Sequence, residues 1–380
     1  MNLEDLRLQI DEIDDKIVEL IEKRMDVAAG IAKYKKENNL PVLNSKRERE
    51  KLNDVSKKSR EETQSYMRVL YSLMFELSRS YQNRLLNTNT QVFQSVMNAI
   101  ENTPKLFPQS PKVACQGVEG AYSQLACEKL FKNPEIMYIN NFEGVFSAIE
   151  SGLCDYGILP LENSTAGSVN DVYDLMISHN FNIIRSVRLK VDHSLLSKKG
   201  TKLSDIKEIF SHKQAINQSS DFLKTLKDVK ITECENTAVA AGIIAKSERS
   251  DIAALSSHNC AELYNLECLK ASVQNNQNNH TRFVCISKKL EIYPGADKTS
   301  LMMVLPHKPG SLYKILARFY ALGINLIKLE SRPIPQRDFE FMFYFDLDTS
   351  IYSQEFAQLI CELHEMSEDF KYLGSYTEVI

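Results

Sequence analysis

The eight cysteines of this 380-residue chain stand singly, at 115, 127, 154, 234, 260, 268, 285 and 361, and no C-x-x-C pair occurs. That scatter excludes a disulfide frame or a cysteine zinc site and reads as reduced, mostly structural thiols. Long apolar runs are also missing: none approaches the length of a membrane span, and the N-terminus is acidic and amphipathic, unlike a secretory signal. A cytoplasmic protein is expected. Charge of one sign is scarce, with 46 Lys and Arg against 50 Asp and Glu. In the first ninety residues the balance is 17 to 16, which excludes the broad basic stripe of a nucleic-acid binder. No G-x-G-x-x-G follows any predicted strand, so no dinucleotide site is expected. No metal, cofactor, nucleic acid or membrane enters the reading.

What is present first is a heptad seam. Leu3, Leu6, Ile10, Ile13, Ile17, Leu20, Arg24, Val27, Ile31 and Tyr34 step by alternating threes and fours, the pattern that buries one helix edge against partner helices. Arg24 stands where a leucine is due, and a guanidinium there needs a compensating charge. Arg7 and Lys35 each follow a seam position by one residue. Three cations on one apolar edge read either as an anion socket or, for Arg24, as a register device paired with a carboxylate.

A helix over residues 2–36 is roughly 50 Å long. No ninety-residue domain is that wide, so a homodimer sharing long helices, with a site completed by both chains, is expected, and a higher oligomer stays open. Pro41 ends this helical region, Asn44-Ser45-Lys46-Arg47-Glu48 follows, and a further helix over about 63–86 places Ser78 and Gln82 one turn apart.

Residues 1–90 resemble the all-helical chorismate mutases fused to prephenate dehydratases. The likeness is carried by Arg7, Arg24, Lys35, Asn44, Arg47-Glu48 and Ser78-Arg79-Ser80-Tyr81-Gln82. Asn44 departs from the aspartate of better-known members. The resemblance implies that Arg7 (from a partner chain), Arg24 and Arg47 clamp the two chorismate carboxylates. Lys35 and Gln82 would donate to the ether oxygen, Asn44 and Glu48 hold the ring hydroxyl, and Ser78 supports a carboxylate. A pericyclic shift needs no nucleophile or proton relay, so catalysis reduces to holding a conformer and stabilising developing charge. Arginine's planar fork suits carboxylates.

At 43% apolar and 25% charged, the chain fits two or three ordinary domains. A boundary is expected between about Asn87 and Pro111, with a linker over 91–110: Asn87-Thr88-Asn89-Thr90 and prolines 104, 108 and 111 break the helical pattern, with a short amphipathic piece around 92–101 between them. Strands are expected at 112–115, 135–139, 156–159, 182–187, 209–211, 229–232, 252–255 and 282–287, alternating with helices. That order argues an α/β domain of largely parallel sheets, in two lobes with a cleft. Polar motifs follow the strands: Gly117-x-x-Gly120-Ala121-Tyr122-Ser123, Glu162-Asn163-Ser164-Thr165-Ala166-Gly167, Thr237-Ala238 and His280-Thr281-Arg282-Phe283. Each alone is an ordinary turn or strand start. Asn163, Asn217 and Asn279 also fit the N-glycosylation sequon, a chance match without a secretory signal.

In combination these motifs resemble the catalytic domain of prephenate dehydratases over residues 111–288. The resemblance makes Thr281 the residue essential to dehydration, with Ser123, Asn163, Ser164, Thr165 and Thr237 lining the cleft. Prephenate would lose its ring hydroxyl and carboxylate together, giving phenylpyruvate, water and carbon dioxide. Ser211-His212-Lys213 departs from the family's Ser-His-Pro.

Residues 299–377 follow a β-α-β-β-α-β order and resemble an ACT regulatory domain of ferredoxin-like plan. Lys308-Pro309-Gly310-Ser311-Leu312 and Glu330-Ser331-Arg332-Pro333 are similar to its two ligand-contacting motifs. The expected fold class is multidomain: an all-α mutase domain, a two-lobed α/β dehydratase domain and an α+β ACT domain binding phenylalanine as feedback effector. The rival readings give the middle domain arogenate as substrate, or make it a non-catalytic ligand sensor.

Overall fold

The computed structural model describes residues 2–86, 91–335, 337–338 and 340–380. The Asn87-Thr88-Asn89-Thr90 run expected to open the linker lies outside the described residues. The chain resolves into two compact units. One holds everything up to Ser95 together with Leu305–Ile324 and Tyr352–Asp369; the other holds Val96–Val304, Asn325–Ile351 and Phe370–Ile380.

In the first unit, α1 (Leu3–Glu37) opens on a reciprocal cap: the Asn2 side chain accepts from Asp5 N at 2.8 Å and the Asp5 carboxylate from Asn2 N at 3.1 Å. Lys35 and Lys36 in its last turn suit the negative end of the helix dipole. α2 (Ser45–Lys58) and α3 (Gln64–Leu86) follow, the latter within a residue of expectation, then α4 (Gln91–Asn102) inside the expected linker. The face α1 turns to α3 differs from the seam. Ala28 and Ala32 are the buried residues, and their small side chains allow close approach. The seam residues Leu3, Leu6, Ile10, Ile13, Ile17, Leu20, Val27, Ile31 and Tyr34 are 44–64% exposed. Within one chain, then, the seam buries nothing, and Arg24 sits half-buried at the border of the alanine face.

The second unit carries two lobes. The first is built from β1 (Lys112–Gln116), α5 (Tyr122–Leu130), β2 (Glu135–Ile139), α6 (Phe142–Glu150), β3 (Tyr156–Asn163), β4 (Gly167–Ser168), α7 (Asn170–Ser178) and β5 (Asn182–Lys190). The chain then crosses into the second lobe: β6 (His193–Ser197), β7 (Glu208–Ser211), α8 (Lys213–Gln218), α9 (Ser220–Lys224), β8 (Lys230–Glu233), α10 (Thr237–Lys246), β9 (Ile252–Ser257), α11 (Asn259–Leu263) and β10 (Glu267–Lys270). It returns to the first lobe as β11 (His280–Ser287).

All eight strands the periodicity predicts are present, six of them within two residues at each end. β4, β6 and β10 were not expected. β4 has only two residues, β6 is buried throughout and shows no alternation, and β10 pairs with β6 through a register slip. The expectation of largely parallel sheets needs correction. β1 runs parallel to β2 and β3, and β7 parallel to β8 and β9. However, β11 is antiparallel to both β3 and β5, and β6 to both β9 and β10. The antiparallel strands are those by which the chain enters and leaves the second lobe, where no helical crossover turns the direction.

The C-terminal segment runs β12 (Lys298–Val304), α12 (Ser311–Ala321), β13 (Asn325–Pro333), β14 (Phe341–Asp348), α13 (Gln354–Met366), β15 (Asp369–Tyr376) and β16 (Glu378–Val379). Its antiparallel sheet has the order β13-β14-β12-β15, and β16 adds to the first lobe's sheet beside β5. Its strands belong to the second unit and its helices to the first. Met302, Val304, Met342, Tyr344, Leu373 and Tyr376 share one apolar core with Leu159, Leu161, Val172, Tyr173 and Val284, so the C-terminal sheet is packed directly onto the first lobe.

Candidate active sites

In the helical unit, α3 gathers the predicted residues. Ser78 and Gln82 are both buried, and Gln82 Nε2 donates to Ser78 O at 3.2 Å and to its Oγ at 3.3 Å. Among the described residues Gln82 Oε1 is buried without a hydrogen-bond partner, a polar atom open to a ligand or water. Glu48 on α2 pairs with Arg79 on α3, and Arg79 also holds Glu76 at 2.6 Å. Lys35 is close enough to feel both Glu48 and Arg79. Burial pulls its pKa below the usual lysine value, Glu48 opposes this and Arg79 adds to it. Lys35 Nζ also donates to Val42 O, tying the end of α1 to the turn after it. Arg24 lies over the Phe75 ring, 5.9 Å from its centroid.

Lys35 and Glu48 thus meet Arg79 of α3, while Ser78 and Gln82 bond each other on the same helix. Arg79 stood inside the recognised Ser-x-x-x-Gln segment; its role appears only once α2 brings Glu48 against it. Arg7 does not join them: it is exposed, seventeen residues or about 25 Å of helix from Arg24. Arg47 is exposed as well, with only a 3.9 Å approach to Glu50. Asn44 caps α2, its side chain accepting from Arg47 N at 3.0 Å. Aspartate caps equally well, which accounts for the exchange at this position.

A cavity of about 440 Å³ in the same unit is lined by Glu48, Arg79 and Ser80 and by Lys308, Ser311 and Arg318. Gly310, with φ +84°, precedes α12, a left-handed conformation that glycine adopts without strain. Leu312 follows Ser311 in the first turn.

In the second unit, Asn163 is the hub. Its Oδ1 accepts from Thr165 N at 3.1 Å, from Ala166 N at 2.9 Å and from Thr165 Oγ1 at 2.7 Å. Backbone N–H groups can only donate, so the amide orientation is determined and Nδ2 must be the donor. Nδ2 donates to Asn279 Oδ1 at 2.8 Å, His280 O at 3.2 Å and Thr281 Oγ1 at 2.9 Å. Thr281 therefore accepts from Asn163, and among the described residues no acceptor takes its own hydroxyl proton. Ser164 is held by β11: its Oγ donates to Asn278 O at 3.1 Å and accepts from His280 N at 2.9 Å.

Three participants were not foreseen. Gln218, at the end of α8 in the other lobe, donates to Thr165 Oγ1 at 2.8 Å and accepts from Asn279 Nδ2 and His193 Nε2, each at 3.0 Å. Burial lowers the His193 pKa against the pull of Gln218 and Asp192, leaving a neutral ring that donates through Nε2. His193 and Asn279 stand where the chain crosses between the lobes, so this network spans the crossing. No local pattern announces it, because its members lie 30 to 116 residues from Asn163. Lys213 is the first residue of α8, its helix capped by His212 accepting from Gln214 N at 3.3 Å. Proline is tolerated at that position, so the Lys213 departure costs the helix no hydrogen bond.

Ser123 is buried in the first turn of α5, and Thr237 is the first residue of α10, whose cap is Asn236. Neither makes a side-chain bond to the Asn163 network. Their helix starts do come together: a Cβ on Gly120 (φ +89°) would lie 3.6 Å from Ala238 Cβ and 2.9 Å from Cys260 Sγ.

Of the second C-terminal motif, Glu330 accepts from Ser168 and Arg332 grips Asp174 with two 2.7 Å bonds; Ser331 and Pro333 complete β13.

Two sites of different character follow. One is a helical cluster of charged and amide side chains; the other is a neutral network of amides and hydroxyls in which the Thr281 hydroxyl proton meets no acceptor among the described residues. Residues 6–83 match the chorismate mutase type II family and residues 113–291 the prephenate dehydratase family. The bifunctional chorismate mutase/prephenate dehydratase of Escherichia coli K12 is 31% identical over 381 residues, covering 98% of this chain and 95% of that protein. Arogenate dehydratase 2 of Petunia hybrida is 36% identical over 282 residues, covering 70% of this chain and 71% of its own. Among solved structures, the prephenate dehydratase of Arthrobacter aurescens in complex with L-Phe superposes with a TM-score of 0.65 at 27% identity, covering 70% of this chain and 89% of that one. The chain belongs to the bifunctional chorismate mutase/prephenate dehydratase family. No helix among the described residues is long and apolar enough to cross a membrane.

Proposed function

We propose that the chain converts chorismate to prephenate at the helical site and prephenate to phenylpyruvate, water and carbon dioxide at the Asn163–Thr281 cleft. The observation that carries the second step is the free Thr281 hydroxyl proton, placed by Asn163 to donate to the departing ring hydroxyl. For the first step, Lys35 and Gln82 donate to the breaking ether oxygen while Arg24 and Arg47 hold carboxylates. Glu48 and the open end of Asn44 take the ring hydroxyl, and Ser78 supports a carboxylate.

The exposed seam on α1 supports a homodimer in which a second copy covers it and brings its own Arg7 to the socket. Three modules are assigned: a mutase domain over 1–90, a dehydratase domain over 111–288 and an ACT domain over 299–377. The β13-β14-β12-β15 order is that of a ferredoxin-like sheet and supports the third. Phenylalanine would act there as feedback inhibitor through Gly310, Ser311 and Leu312 and through Glu330, Ser331, Arg332 and Pro333. It inhibits only by binding an inactive arrangement more tightly than the active one. A cytoplasmic location goes with this pathway role.

A paired assay tests the whole reading: chorismate loss and phenylpyruvate formation, with and without phenylalanine. Turnover in both steps, the second suppressed by phenylalanine, is expected. Prephenate accumulating while arogenate is consumed would transfer the middle domain to arogenate.

A further inference from the structure

Behind the dehydratase cleft lies a set of charges that the chemistry above does not use. β3 and β11 pair antiparallel with Thr281 opposite Asn163 and Arg282 opposite Glu162. Successive residues of a strand face opposite sides of the sheet. Thr281 and Asn163 meet on the cleft side, so Arg282 and Glu162 meet on the other, with Arg282 Nε 2.9 Å from Glu162 Oε1. That approach is at ion-pair distance, but its angle leaves Nε without a proper hydrogen bond. Immediately beyond, the register slips so that Phe283 faces Pro160, and Leu161 is the extra residue of a bulge. A bulge re-aims the side chains beside it.

The C-terminal sheet presents a matching pair. Lys328 on β13 stands opposite Asp346 on β14, again beside a register slip. Lys328 Nζ lies 2.9 Å from Glu162 Oε2, and Arg282 Nη2 is paired with Asp346. The four charges alternate in sign: Lys328, Glu162, Arg282, Asp346. Asp346 is fully buried and its second oxygen accepts from Ser300 Oγ at 2.5 Å. Lys328 also donates to Ser168 Oγ at 2.7 Å, and Ser168 pairs with Glu162 across β4 and β3. Ion pairs this buried contribute little net stability compared with apolar packing, because desolvation offsets their attraction. What they do supply is direction: each charge accepts only a narrow placement of its neighbours.

We propose that this chain of charges is a positioning device that fixes the back of the two strands carrying Asn163 and Thr281, so that dehydration depends on how the C-terminal sheet is arranged. The inference rests on the assignment of Thr281 to dehydration. Arg282 and Glu162 are positioning residues; Lys328 and Asp346 are the grips by which the C-terminal sheet holds them. A displacement of β13 acts first on Glu162, and Glu162 is the residue before Asn163.

The test uses the full chain with Lys328→Gln and the conservative Lys328→Arg, assayed for both activities and for thermal unfolding. Lys328→Gln is expected to lower dehydratase kcat about tenfold with KM within about twofold, since misplacement of a reacting group by less than 1 Å acts on that scale. Mutase turnover stays at the wild-type level, and Lys328→Arg recovers most of the lost kcat. Should Lys328→Gln not fold, the near-isosteric Glu162→Gln is read by the same criteria. A kcat within twofold of wild type, or no recovery in Lys328→Arg, overturns the proposal. Thr281→Ala is run alongside: full dehydratase turnover in that variant would overturn the underlying assignment instead.

Discussion

Asn163 Nδ2 donates to Thr281 Oγ1 at 2.9 Å, across a strand pair in which the two residues stand directly opposite. Because Asn163 is the donor, the threonine proton is left for the substrate. Thr281→Ala should abolish phenylpyruvate formation, Thr281→Ser should retain part of it, and Asn163→Ala should lower kcat by roughly 10- to 100-fold. Mutase turnover in the same preparations should be unchanged. Equal dehydratase rates in wild type and Asn163→Ala would remove the amide from the mechanism.

Lys35 yields a pH prediction. Burial depresses its pKa below 10.5, opposed by Glu48 and reinforced by Arg79. A neutral amine is the weaker donor, so mutase rate should fall as pH rises through that depressed value, before an ordinary lysine would titrate. Lys35→Arg should move the alkaline limb upward in any variant that stays active. Folding stability changes the other way: the unfolded chain binds the proton to higher pH, so stability rises with pH through the same window. A mutase pH profile flat up to pH 10 would count against Lys35.

A charge in the open seam of α1 tests the dimer. Ile13 is 54% exposed and twenty-two residues from Lys35, so Ile13→Asp leaves the buried Ala28 and Ala32 face of α1 untouched. Sedimentation should show dissociation, with mutase turnover lost and dehydratase turnover retained. An Ile13→Asp protein that is still a dimer with full mutase activity would place the interface elsewhere.

Gly120 permits the helix starts of Ser123 and Thr237 to approach. Alanine there meets both φ +89° and a 2.9 Å contact with Cys260 Sγ; the left-handed conformation alone costs about 1–2 kcal/mol. Gly120→Ala should reduce dehydratase turnover and lower its unfolding temperature by several degrees, with the mutase step unaffected. Gly152→Ala, with open space around its Cβ, is the control for φ alone.

Much of this protein is legible along the chain. The α1 and α3 spans, the principal strands of both lobes and the β-α-β-β-α-β order follow from short-range periodicity, which local sterics and burial impose residue by residue. The candidate residues Lys35, Ser78, Gln82, Asn163 and Thr281 came instead from the resemblance of their short motifs to known families, since each alone reads as an ordinary helix or strand residue. Tertiary structure decided the rest. Which face of α1 is buried depended on α3 accepting alanines in place of the apolar seam. Arg79, Gln218 and His193 joined their sites through elements far apart in sequence. The chain of charges Lys328, Glu162, Arg282 and Asp346 required two strand registers and two bulges to coincide. Register and packing between distant segments are set by the free energy of the whole fold, and no window of the sequence contains them.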